Sequence, residues 1–101
     1  GRYDEALTAY EDALESDSRD LNAWIGKGRA LEQLGNLVDA GKAYCNAGNE
    51  LTKRGSYKDA INFYDDAIRM NSQDSESLNK KKKIQNKLSR SDGVIDPHAE
   101  K

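Results

Sequence analysis

Apolar residues recur along this chain at helical spacing, in three similar stretches. Tyr3, Ala6, Leu7, Tyr10, Ala13 and Leu14 fall on one face of a helix. Leu37, Ala40, Tyr44 and Ala47 repeat the pattern, and so do Tyr57, Ala60, Ile61, Tyr64, Ala67 and Ile68. Polar residues fill most of the positions between, as expected of helices that each bury one stripe. Alanines on a stripe let a neighbouring helix come close, while the aromatics fill the gaps beside them. Each copy opens on a glycine, Gly1, Gly35 or Gly55; the first two are 34 residues apart and the last two only 20.

Asn36 with Asp39, and Ser56 with Asp59, have the side chains and spacing of a helix N-cap and its reciprocal acid. The glycine before each suits the left-handed turn that ends the preceding helix. Consecutive helices therefore run antiparallel through tight corners. A second pattern precedes the corners: Trp24, Gly28 and Leu31 before Gly35, and Tyr44, Gly48 and Leu51 before Gly55, at the same distances. A glycine inside a helix costs about 1 kcal/mol against alanine, and close helix contact is the expected return.

The run Trp24-x-x-x-Gly28-x-x-Leu31-x-x-x-Gly35-x-Leu37-x-x-Ala40-x-x-x-Tyr44-x-x-Ala47 resembles a tetratricopeptide repeat, and the resemblance covers about residues 1–74. That family's unit is a pair of antiparallel helices, A then B, in 34 residues. Lys27 stands where a leucine is usual, and Ser18 or Ser72 where a proline commonly ends a unit. Between Gly35 and Gly55 there is no room for two helices. Residues 37–53 must serve as helix B of one unit and helix A of the next, with Tyr44, Ala47 and Gly48 satisfying both patterns.

The expected architecture is all-α: antiparallel helix hairpins of tetratricopeptide type in an α-α superhelix, with about five helices. These are placed near 2–16, 21–34, 37–53, 57–70 and 75–90, forming one domain over 1–90 with a tail at 91–101. Asp20 and Asp74 are the expected caps of the second and fifth. Leu78, Ile84 and Leu88 give the fifth a partial stripe with Lys81 inside it, and the resemblance implies a polar capping helix there. Tyr3, Trp24, Tyr44, Tyr57 and Tyr64 all occupy inter-helix packing positions.

Composition narrows the picture little further. The 101 residues are 36% hydrophobic and 34% charged, a ratio suited to thin helical layers. No apolar run approaches the ~20 residues of a membrane span. The chain begins inside a repeat and without Met, so a segment of a longer protein is expected. A lone Cys45 cannot form an internal disulfide, which fits a cytoplasmic, reducing setting. Residues 1–78 carry 9 Lys/Arg and 15 Asp/Glu, a net of −6, whereas 79–101 carry 7 and 3, a net of +4.

The candidate chemistry is sparse. His98 lies beside Pro97 in the tail, and Cys45 has no histidine or second cysteine to activate it. Asp65 and Asp66 project about 100° apart and form no dyad. No phosphate loop, zinc spacing or nucleophile elbow is present, so neither enzyme activity nor a cofactor is expected. Lys80, Lys81, Lys82 and Lys83, with Lys87, make a basic patch of which Lys80, Lys82, Lys83 and Lys87 are the candidate contacts. No aromatic is interleaved, which argues against single-strand stacking, and a nucleic-acid partner is not expected.

The resemblance implies a protein-interaction module or scaffold that binds a peptide segment or partner protein in a helix-lined groove. Carried onto matching positions, the groove set is Asn22, Ile25, Arg29, Glu32 and Gln33. If the fused helix also acts as an A helix, Lys42, Cys45, Asn49, Thr52 and Lys53 join them. The lysine and asparagine arrangement by which the family holds a C-terminal carboxylate is not reproduced. The alternative is a self-associating module, a homodimer exchanging helices through 37–53; a smaller one is an anionic partner on Lys80–Lys83.

Overall fold

The computed structural model describes residues 1–93. Five helices follow in order: α1 Arg2–Ser16, α2 Leu21–Gln33, α3 Leu37–Lys53, α4 Tyr57–Met70 and α5 Ser75–Gly93. Each packs on the next, so the layers are α1–α2–α3–α4–α5. The 20-residue interval holds one helix, α3, which is 17 residues long and packs on both α2 and α4. The second helix stops at Gln33, one residue before its expected end. The fifth continues to Gly93, past its expected end at 90, because neither Ser91 nor Asp92 breaks a helix. His98 and Pro97 lie outside the described residues.

The corners after α2 and α3 are the same motif twice. Gly35 has φ +84° and Gly55 has φ +81°, the left-handed region that glycine enters without a Cβ penalty. The N–H of Asn36 donates to Leu31 O and that of Gly35 to Glu32 O; Ser56 donates to Leu51 O and Gly55 to Thr52 O. These pairs close the orphan carbonyls of each helix end. They also correct the capping expectation. Asn36 and Ser56 are the N-caps but make no side-chain cap bond. A reciprocal acid at Asp39 or Asp59 would need the N-cap N–H, which is already spent on the preceding helix. Asp20 does cap α2, accepting from the Ala23 N–H at 3.1 Å, and Asp74 caps α5, accepting from the N–H of Ser77 at 3.0 Å.

The core lies in α2–α5: Leu31, Ala40, Tyr44, Cys45, Leu51, Ala60, Tyr64, Ala67 and Ile84. Two tyrosine–glycine contacts repeat with one geometry. Tyr44 of α3 lies on Gly28 of α2, and Tyr64 of α4 lies on Gly48 of α3. Four residues beyond each glycine the same tyrosine finds a polar partner: Tyr44 donates to Glu32 at 2.8 Å, and Tyr64 Oη is 3.1 Å from Thr52 Oγ1. The helix α3 thus stands to α4 as α2 stands to α3. A third contact, Tyr10 on Gly26, joins α1 to α2.

Exposure along the stripes is uneven. Tyr3 is 49% exposed, since α2 is the one described helix that covers α1 extensively. Trp24 is half-buried, its indole N–H donating to Ser18 O at 2.9 Å with Lys27 Nζ 5.6 Å from the ring. Tyr57 is half-buried too, but it packs against the core as expected, under Lys87. Leu78 is 39% exposed, and the fully buried Ser77 takes its place, its hydroxyl donating to Asp74 at 2.7 Å. The ammonium of Lys81 pairs with Asp65 on α4 at 2.6 Å. Trp24→Ala should therefore cost about 1–2 kcal/mol, below the cost of a fully buried indole. A urea titration measures it, and a loss near that of a core aromatic would contradict this placement.

Candidate functional site

Packing between neighbouring helices is done by alanine, glycine and tyrosine, which leaves longer polar side chains on the helix edges. Two grooves collect them. The first lies between α1 and α2, with a volume of ≈ 260 Å³; Asn22, Ile25, Arg29 and Gln33 form one wall, and Tyr3, Ala6 and Tyr10 the other. The α2 residues are spaced at three or four, so they make one stripe. Glu32 does not line this groove. It lies one turn beyond Gly28, facing α3 and α4, where it accepts from Tyr44 Oη and meets Arg69 at 3.8 Å. Burial, and then the hydrogen bond to the Glu32 carboxylate, push the Tyr44 hydroxyl well above the usual tyrosine range. Tyr44 is therefore a fixed donor, and Glu32 is spent on structure.

The second groove, of ≈ 440 Å³, lies where α3, α4 and α5 meet, and is lined by Asn49, Thr52, Lys53, Tyr64, Lys80, Lys83 and Ile84. Its polar floor is connected: Asn49 Oδ1 accepts from Tyr64 Oη at 2.7 Å and from Lys80 Nζ at 2.8 Å. Lys80 Nζ also pairs with Glu76 at 3.0 Å. Burial works against the Lys80 charge, but the hydrogen bond and negative charge of Glu76 prevail and hold its pKa above the usual lysine range. Burial pushes the Tyr64 hydroxyl upward as well, so it too remains a donor.

The basic patch does not act as a unit. Lys80 and Lys83 enter the second groove beside Asn49 and Lys53. Lys87 instead ties α5 to α4: its Nζ donates to Tyr57 Oη at 2.9 Å and lies 4.8 Å from the ring centroid. Lys82 is exposed and lines neither groove. The spacing sets Lys82 apart, since 80, 83, 84 and 87 share one helix face, but it does not separate Lys87 from Lys80 and Lys83. Lys42 and Cys45 are separated from Asn49 and Lys53, facing a third depression with Val38, Asn46, Asn71, Asp74 and Glu76. Cys45 is 5% exposed, and burial raises its thiol pKa, so it behaves as a packing residue. Thr52 lines the second groove together with Asn49 and Lys53, whereas the roles of Tyr64, Ile84, Tyr3 and Tyr10 as groove walls depend on which helices meet, and stripe spacing does not report that.

Among the described residues no helix is long and apolar enough to cross a membrane, and no group of three or more His, Cys, Asp or Glu is placed to hold a metal ion.

Comparison with known proteins agrees with this arrangement. Residues 1–49 match a family model described as tetratricopeptide repeat, and residues 41–74 match a second of the same description. The two matches overlap at 41–49, inside α3, where the shared residues Tyr44–Gly48 lie. A stretch of 45 residues is 42% identical to protein bimA of Emericella nidulans, covering 45% of this chain and 6% of that protein.

Proposed function

Because this chain belongs to the tetratricopeptide repeat family, we propose that it is a protein-interaction module that binds a segment of another protein in its inter-helix grooves, without catalysis. We take 1–90 as its folding unit and an intracellular compartment as its setting. The observation that carries this reading is the polar stripe Asn22, Arg29 and Gln33 beside the groove between α1 and α2. Those side chains do not pack the helices together, and their mixed donors and acceptors suit the backbone of an extended segment.

Arg29 is exposed, so its reversal should leave the fold intact. A photo-cross-linker placed at Gln33 should capture a protein partner. Arg29→Glu should reduce that capture by about tenfold at an unchanged melting temperature. Capture that is indifferent to Arg29 would remove this groove from the function. The helix-exchanged homodimer is the lesser reading, because α3 already meets α2 and α4 within its own chain. Light scattering from concentrated protein separates the two: a mass of one chain eliminates exchange.

A further inference from the structure

The second groove differs from the first in charge. Lys53 on α3 and Lys80 and Lys83 on α5 converge on it, though Lys53 is 27 positions from Lys80 and 30 from Lys83. One carboxylate, Glu76, is paired with one of them, Lys80. Among the described residues Lys53 and Lys83 carry no ion pair, and both are exposed. The groove therefore has two uncompensated positive charges. It sits in a chain whose residues 1–78 have a net charge of −6. A concave, partly apolar wall focuses such a field more than a convex surface does.

Resting on the groove-binding reading above, we propose that the groove between α3, α4 and α5 receives an acidic segment of a partner protein. Side-chain carboxylates of that segment pair with Lys53 and Lys83. Lys80 is held in place by Asn49 and Glu76, so it contributes a fixed charge at the floor and not a mobile arm. Ile84, 5% exposed, and the ring of Tyr64, 1% exposed, close the groove from below. The occupant is a polypeptide and not a nucleic acid for two reasons. The ring in this groove, Tyr64, is buried and so is not accessible for base stacking. The acidic surface of the remaining helices also repels a long polyanion, whereas a short acidic segment meets the lysines alone.

Fluorescence anisotropy tests this with three labelled probes: a short Asp/Glu-rich peptide, its Asn/Gln counterpart and oligothymidylate. The acidic peptide should bind the full chain, weaken as salt rises, and bind at least about tenfold tighter than the amide peptide. The double variant Lys53→Glu, Lys83→Glu should lose about tenfold or more in affinity for the acidic peptide, with its melting temperature unchanged. Lys53→Arg, Lys83→Arg should retain binding, and Lys58→Glu, at an exposed lysine that lines neither groove, should leave it within about twofold. Equal binding to wild type and the Lys→Glu variant overturns the proposal, and so does preference for oligothymidylate. If the acidic peptide fails while Arg29-dependent capture persists, this inference falls and the general reading stands.

Discussion

Tyr64→Ala is expected to destabilise the protein by about 3–5 kcal/mol, the range for deleting a buried aromatic ring. Tyr64 is 1% exposed and lies where α3, α4 and α5 meet. Its ring covers Gly48, and its hydroxyl is shared by Asn49 and Thr52. Alanine opens a cavity against a helix whose contact residue has no side chain to relax into it. The hydroxyl can be weighed separately. Tyr64→Phe keeps the ring and leaves Asn49 bonded to Lys80, so about 1 kcal/mol is expected. Urea unfolding with a constant slope measures both. A Tyr64→Ala loss no larger than that of Tyr64→Phe would mean that the ring is not the centre of this core.

Gly48→Ala is the second large effect, and its sign is informative. Helix propensity alone favours alanine by about 1 kcal/mol. A Cβ at Gly48 would lie 2.6 Å from Cε1, 2.8 Å from Cδ1 and 3.0 Å from Cζ of Tyr64. That ring is buried and held at its hydroxyl, so it does not swing aside, and overpacking of this kind costs about 1–3 kcal/mol. Net destabilisation is expected. A double-mutant cycle isolates the cause: in a Tyr64→Ala background, Gly48→Ala should become neutral or stabilising. A penalty that survives loss of the ring would contradict the close-contact role of Gly48. Gly28 meets Tyr44 in the same way, at 2.7 Å from Cε1, and should respond alike.

The candidate grooves were less legible than the fold, and particular residues show why. Asn22, Ile25, Arg29 and Gln33 share a groove because one helix stripe carries them, and stripe spacing is visible in sequence. Glu32 lies beside Gln33 in the chain, yet it turns to Tyr44 and Arg69. Its fate depends on α3 and α4, not on α2. The lysine block divides for the same reason. Lys80 reaches Asn49, Lys81 reaches Asp65 and Lys87 reaches Tyr57, each on a helix that the block itself does not specify. Tyr3 was expected in the core from a stripe position that Tyr57 shares, but a stripe buries only what a neighbouring helix covers.

Local rules were enough for the all-helical class, the corners at Gly35 and Gly55, and the single helix between them. Those features depend on helical period, on glycine's access to positive φ, and on 20 residues being too few for a hairpin. Which polar side chains become free to bind was decided by the tertiary structure. It brought Lys53 beside Lys80 and Lys83, and it used Glu32 and Lys87 as struts. Charged side chains find partners several residues or several helices away, and the energies of these exposed pairs are too small to impose a pattern on the sequence.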